Sequence, residues 1–383
     1  MPHTTLITGD LAALEDELTE AVRGLRAEGD PLAPVTVLIG NVLLRPYLRR
    51  LLARRGVPLL NVRFLRPNEL ASELAHDPGA PLLPRLSTAA DRLLAREISA
   101  EAAGYFEGVA GRDGFADALR RLFRELELGG FDAASFASAV AGAGDKQAEL
   151  ARLYALYRQR RAAFASVADE YARALTRTPE TPLLVYGIWQ PALLQWRLIE
   201  HQARTAGATV FLPASSLTAD DAHEDFRERL LALPGATHRE AAAATSTLAS
   251  RVFRAPDPAA APINAPATAL INAPDTVREI WEAARACLRW ADDGIRFHEM
   301  AIVYRHREPY RALIDEIFSE AGIPTYLHDG RLLSTHPLGR RLLMLLELAE
   351  KHEAFERAPV MEFLTETRLP RATYDRLPSF RPA

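Results

Sequence analysis

The sequence predicts an α/β protein made of two parallel-sheet domains, the first interrupted by an all-helical insertion. Three features carry this reading: strand-like apolar runs alternate with amphipathic helical stretches, the strand signal vanishes between about residues 85 and 178, and an alanine- and proline-rich run follows its return. The chain opens with "TTLI", after which Leu11, Leu14, Leu18, Val22 and Leu25 recur at helical spacing, and "VTVLIG" (35–40) reads as a buried strand. A helix over "LLRPYLRRLLARRG" leads to "PLLNVRFLRPNELASELA", a short strand passing into a helix near Asn68, so residues 1–84 form the first part of a parallel sheet. Residues 85–178 hold only helices, among them "STAADRLLAREISAEA", "FADALRRLFRELEL" and "KQAELARLYALYRQRRAAF", each with an apolar stripe. Strands return at "PLLVYGI" (182–188) and "ATVFLPA" (208–214) with a helix between them, so residues 179–234 resume the first sheet. Residues 235–267, with "APDPAAAPINAPA", read as a linker. A second α/β domain is expected over 268–335, with strands "TALINA", "MAIVYR" and "IPTYLH" separated by two helices. Residues 336–383 begin a further helical segment, with helices near 338–351 and 359–367.

With 383 residues, 48% of them hydrophobic and 25% charged, the chain is long enough for two or three domains with real cores. A net charge of -4 advertises no general attraction for nucleic acid, although a local basic groove is invisible in that sum. The single cysteine, Cys287, lies in a helical pattern and reads as a buried structural thiol, which excludes a disulfide framework and a cysteine zinc cluster. No stretch approaches the ~20 apolar residues that cross a bilayer. The expectation is a cytoplasmic protein with no membrane partner.

Motifs that would carry catalysis are absent: no G-x-x-x-x-G-K-[ST], H-E-x-x-H, G-x-S-x-G or C-x-x-C occurs. His298 and Glu299 lack a second histidine one turn onward and read as a surface pair. The acidic run Asp220, Asp221, Glu224 and Asp225 reads as a solvated helix start, and the glycines of "GYFEGVAGRDGF" (104–115) as turns between helices. At the end of the first strand, Gly9 runs into Asp10 where a nucleotide-binding chain would turn through a phosphate loop. A phosphate loop converges backbone N–H groups on an anion while a lysine neutralises it. Asp10 caps the helix with its own carboxylate and repels phosphate, so no ATP binding and no cofactor are expected.

The order of these segments resembles the N-terminal, motor-like half of AddB-type helicase-nuclease subunits, relatives of UvrD-like superfamily 1 helicases that have lost most motor motifs. "VYGIWQPALLQ", Val185 to Gln195, is similar to the Walker B segment V-D-E-F-Q-D-T-N-P-L-Q, with Tyr186 and Gly187 standing where the magnesium-binding aspartate and water-activating glutamate belong. "AIVYRHREPYR" (301–311) resembles A-I-L-Y-R-S-N-A-Q-S-R of the second motor domain, matching at Tyr304, Arg305 and Arg311, and "KQAELARLYALYRQR" resembles a helix with Y-x-x-Y at Tyr154 and Tyr157.

The resemblance implies two RecA-like domains and degenerate nucleotide positions Gly9, Asp10, Tyr186 and Gly187. It further implies contacts from Tyr304, Arg305 and Arg311 to single-stranded or duplex-end DNA, and an AddA-like helicase-nuclease subunit as partner. Tyr154 and Tyr157 read as packing residues rather than base-stacking ones. The family's PD-(D/E)XK nuclease domain and iron-sulfur cysteines are not in this sequence, so a truncated or short form without nuclease activity is expected. The function implied is an ATPase-inactive DNA-binding scaffold in double-strand break repair. The alternatives are a divergent ATP-dependent helicase and an interaction module without DNA contact. The only lysines, Lys146 and Lys351, are far from the first strand, which weighs against the helicase.

Overall fold

The computed structural model describes residues 3–27, 32, 34–77, 79–179, 181–214, 218–241, 269–326, 333–350 and 357–366. The chain divides into two compact units, Met1–Pro266 and Ala267–Ala383.

The first unit is built on one six-stranded sheet: β1 (Thr4–Gly9), β2 (Val35–Ile39), β3 (Val62–Leu65), β4 (Leu183–Tyr186), β5 (Ala208–Pro213) and β6 (Ala236–Glu240). The strands lie in the order β3-β2-β4-β5-β1-β6 and every pairing is parallel. β2 and β4 are buried at every residue, which is why both read as continuous apolar runs: a parallel sheet is covered on both faces.

The coverage follows from the direction of the crossovers. The chain runs one way across the sheet from β1 to β2 to β3, then the other way from β3 through β4 and β5 to β6. Right-handed crossovers therefore put the two groups of helices on opposite faces. α1 (Leu11–Ala27) and α2 (Leu44–Arg54) bury Leu14, Leu18, Leu48 and Leu52 against Ile7, Val37, Ile39 and Phe211. α3 (Pro67–Ala75), α8 (Val167–Ala174), α9 (Leu193–Thr205) and α10 (Glu224–Leu231) bury Leu70, Tyr171, Trp196 and Phe226 against Leu38, Val185 and Val210.

Between β3 and β4 the chain forms, after α3, the helices α4 (Thr88–Ala100), α5 (Asp113–Leu128), α6 (Ala133–Ala139), α7 (Asp145–Arg160) and then α8. α4 to α7 share a separate core around Ile98, Leu119, Phe123, Leu153, Tyr154 and Tyr157. α8, expected within the helical insertion, instead packs on the sheet layer, where the Tyr171 hydroxyl donates to Asn68 Oδ1 at 2.7 Å.

β6 corrects the expected linker over 235–267, whose first residues are a strand. "ATHRE" has no apolar alternation because among the described residues it is an edge strand, and its polar residues pair inward: His238 Nε2 lies 2.9 Å from Thr8 Oγ1 and Arg239 forms an ion pair with Glu17. Residues 242–268, which hold the rest of that linker, lie outside the described residues.

In the second unit, α11 (Thr276–Asp292) packs on α12 (Tyr310–Glu320) through Ile280, Ala284, Cys287, Ile314, Ile317 and Phe318; α13 (Pro337–Glu350) and α14 (Arg357–Glu366) follow. The parallel sheet expected here is not formed among the described residues: 269–273, 300–304 and 323–326 lie outside any strand. An apolar run gains its ladder only from a neighbouring strand, and none among the described residues is paired with these. Among the described residues, no helix is long and apolar enough to cross a membrane.

Candidate functional site

In a sheet of this topology, a crevice opens at the carboxyl ends of strands whose loops leave for opposite faces. Here it lies around β1, β5, β4 and β2, and it gathers Gly9, Asp10, Tyr186 and Gly187. Asp10 caps α1 as expected, its Oδ1 accepting from the Ala13 N–H at 2.8 Å and its carbonyl from the Leu14 N–H at 2.9 Å. Its Oδ2 is buried with no hydrogen-bond partner among the described residues, a placement hostile to a phosphate oxygen.

The space is filled by the chain itself. The backbone after β6 turns onto β1, the Ala241 N–H donating to the Thr8 carbonyl at 2.7 Å, and a methyl group on Gly9 would lie 2.9 Å from Ala241 Cβ. A Cβ on Gly40 would meet the Gly187 carbonyl at 1.9 Å, so the loops after β2 and β4 touch through backbone. Gly187 has φ +71°, and a Cβ there would meet Leu44 Cδ1 at 2.5 Å. Glycine at 187 is thus a packing requirement.

Tyr186 points away from the crevice mouth into the layer under α1 and α2, buried and 6.1 Å from the Phe211 ring. Burial pushes its hydroxyl well above the usual tyrosine range. Beside it, a polar network ties α1 to α2: the Tyr47 hydroxyl donates to Glu15, and Arg55 reaches Asp16 at 2.8 Å and Thr19 Oγ1 at 2.9 Å. The sequence carries no motif for these residues. Gln195, matched to the last residue of the Walker B segment, accepts from the Ala192 N–H at 3.0 Å and caps α9.

In the second unit, the Tyr304 and Tyr310 rings stack with centroids 6.0 Å apart, and the Tyr310 hydroxyl donates to Glu279 at 2.8 Å. Arg305 is exposed, whereas Arg311 is buried at 8% exposure on the inner face of α12. The two arginines are thus not equivalent: of the pair, Arg305 alone is exposed.

Tyr154 and Tyr157 are packing residues. Their hydroxyls donate to the Phe131 carbonyl and to Asp91 Oδ1, each at 2.7 Å, and the Arg161 guanidinium lies 5.1 Å from the Tyr157 ring centroid. Arg161 and Arg158 both reach the buried Glu127, at 2.9 and 2.8 Å. Burial raises the Glu127 carboxyl, and the two arginines pull it back. This network faces a cavity of about 690 Å³ between α3, the helical segment and α8. Arg66, Arg85, Arg120, Arg124 and Arg161 line it, but so do Glu69, Glu73, Asp91, Glu127 and Glu170, so it is a balanced ionic lining rather than a basic groove.

The remaining expected features resolve into ordinary structure. His298 and Glu299 sit in a short 3-10 turn, where Arg296 holds the Glu299 carboxyl down at about 2. Glu224 and Asp225 begin α10 and pair with Arg227 and Arg229, and the 104–115 glycines fall in a 3-10 turn, the loop after it and the start of α5. Cys287 is buried, which raises its thiol. Among the described residues, no group of histidine, cysteine, aspartate and glutamate could hold a metal ion.

No family model matches the chain. Over part of its length it is similar to proteins described as the B-type polypeptide of an ATP-dependent helicase/deoxyribonuclease. Against that of Symbiobacterium thermophilum it is 35% identical over 115 residues, 29% of this chain and 10% of the relative. Against that of Heliobacterium modesticaldum it is 32% identical over 105 residues, 27% and 8% of the two chains. With that of Pelotomaculum thermopropionicum the identity is 30% over 149 residues, 37% of this chain and 12% of the relative. The matched stretches thus span about a tenth of these curated relatives.

Proposed function

We propose that this chain, a relative of the AddB-type helicase/deoxyribonuclease polypeptides, is an ATPase-inactive, DNA-binding scaffold in double-strand break repair, working in the cytoplasm with an AddA-like motor as its partner. In this reading the first unit descends from a RecA-like motor domain with a helical insertion, and the second from the start of the other motor domain. One observation carries the loss of ATPase function: the crevice at the carboxyl ends of β1 and β4 is packed by Ala241, Leu44 and the Gly187 backbone, while Asp10 supplies the helix-capping charge in place of an anion. No cofactor enters the reading. The DNA role rests on the relatives' description together with the exposed Arg305 and the neighbouring Tyr304.

The test is fluorescence anisotropy of labelled single-stranded and duplex-end oligonucleotides over a range of salt, run in parallel with titration of a labelled ATP analogue and Mg²⁺. Salt-sensitive DNA binding without ATP binding is expected. Saturable ATP binding would favour the divergent helicase, and absence of DNA binding at low salt the interaction module.

A further inference from the structure

Four helices of the first unit begin at the cavity of about 690 Å³ between α3, the helical segment and α8. Asn68 of α3, Thr88 of α4, Val167 of α8 and Gln195 of α9 all line it, and each stands in the first turn of its helix. A helix start carries free backbone N–H donors and about half a positive charge, so the four together add about +2 to the lining. The caps meet only part of this demand. Ser87 and Ser166 accept from the first turns of α4 and α8 at 3.1 and 3.2 Å, whereas Arg66 and Ala192, in the corresponding positions before α3 and α9, carry no side-chain acceptor.

The ionic side chains balance in number but not in pairing. Glu69 is held by Arg45 and Arg66 at 2.7 and 2.9 Å, Glu73 by Arg63 at 2.9 Å, Glu127 by Arg158 and Arg161, and Glu170 by Arg85. Arg45, Arg63 and Arg158 come from outside the lining, so the carboxylates are largely committed before every lining arginine is served. Two guanidiniums one turn apart on α5 are left over. Arg120 reaches Asp91 and Asp117 only at 3.7 Å, and Arg124 forms no ion pair among the described residues. The Nε atoms of Arg120 and of the buried Arg161 lack a hydrogen-bond partner among the described residues. A buried donor without an acceptor is costly, and here several surround one polar space.

We propose that this cavity binds a phosphate-class oxyanion, held between the Arg120 and Arg124 guanidiniums and the uncapped first turns of α3 and α9. The volume is that of a small-ligand site, and a guanidinium offers paired N–H donors that match phosphate oxygens. The surplus of about +2 suits one phosphoryl group. The further phosphates of a nucleoside triphosphate would meet the five lining carboxylates, so the site is no substitute for the closed crevice. The phosphoryl group belongs either to a free anion or to the backbone of a nucleic-acid strand, and the exposed Arg85 and Arg124 leave the mouth open to both.

The experiment is isothermal titration of the whole chain with inorganic phosphate at low salt and without Mg²⁺, repeated in the presence of a short oligothymidylate lacking terminal phosphates. Saturable binding at a single site is expected. Arg124→Gln alters an exposed side chain with no ion pair among the described residues, so it keeps the fold, which circular dichroism checks; by removing a charge-assisted hydrogen bond it should weaken phosphate binding at least ~10-fold. Arg120→Gln should do the same. Arg121→Gln, on the same helix but exposed and outside the lining, should leave the affinity unchanged. Displacement of phosphate by the oligothymidylate would identify a strand phosphate as the natural occupant, and undiminished phosphate binding a free anion. Absence of saturable binding, an affinity indifferent to both Arg120→Gln and Arg124→Gln, or an equal weakening by Arg121→Gln would each overturn the proposal.

Discussion

Placing at position 186 the aspartate of the Walker B segment that "VYGIWQPALLQ" resembles should damage this protein rather than create a nucleotide site. Tyr186 is 5% exposed in the layer between the sheet and α1–α2. Tyr186→Asp removes a packed aromatic ring, which costs about 3–5 kcal/mol for large-to-small aromatic changes. It also buries a carboxylate. Keeping that group neutral at pH 7 means raising its pKa by about 3 units, a further ~4 kcal/mol at 1.36 kcal/mol per unit. The total, about 7–9 kcal/mol, is comparable with the whole stability of an ordinary domain, ~5–15 kcal/mol. Tyr186→Phe is the control: the hydroxyl makes no hydrogen bond among the described residues, so its removal should cost less than about 1 kcal/mol. Urea unfolding followed by circular dichroism measures both variants, and titration with an ATP analogue checks for binding. A Tyr186→Asp protein with the parent midpoint, or one that gains Mg²⁺-dependent ATP binding, would refute the view that this position has been absorbed into the core.

Gly187→Ala should cost about 2–3 kcal/mol, from the left-handed backbone at φ +71° and the approach to Leu44, and Leu44→Ala in the same chain should recover part of the clash but not the backbone strain; thermal unfolding of the single and double variants separates the two. Glu127→Ala leaves Arg161 buried without its carboxylate and should destabilise the helical segment by about 3–5 kcal/mol, read as a lowered midpoint of chemical unfolding. Arg305→Ala should reduce the log-log salt slope of single-strand binding by ~0.7, whereas Arg311→Ala, a buried residue, should lower stability; an unchanged slope with Arg305→Ala would remove it from the DNA interface. The Arg239 hydrogen bond holds the Glu17 carboxyl below its ordinary 4.5, so the pair contributes stability above that pH and loses it as pH falls through the lowered value. Amide protection in β6 should therefore decline below pH 4.5 in the parent and show a weaker acid dependence in Arg239→Ala; equal profiles would show that the pair does not anchor the edge.

The first sheet was legible because its strands are buried on both faces. β2 and β4 are unbroken apolar runs, and the helices between strands carry stripes with the 3.6-residue period, so residues near in sequence announced their own environment. The cap by Asp10 was legible for the same reason, since an N-cap is a local hydrogen bond to the next turn. What local pattern could not announce is anything decided by a distant neighbour. β6 is polar because it is an edge, and only its pairing with β1 makes it a strand. Arg311, which the resemblance implies as a DNA contact, is buried by the packing of α12, while α8 joins the sheet layer through Tyr171 and Asn68, residues 103 positions apart in the chain. The closed crevice belongs to the same class: Gly9 and Ala241, or Gly187 and Leu44, meet only when the crossovers have brought the carboxyl ends of the strands together. Segment type follows from side chains a few residues apart, whereas burial, pairing and the filling of a site follow from contacts that the sequence spaces far apart and the folded chain alone closes.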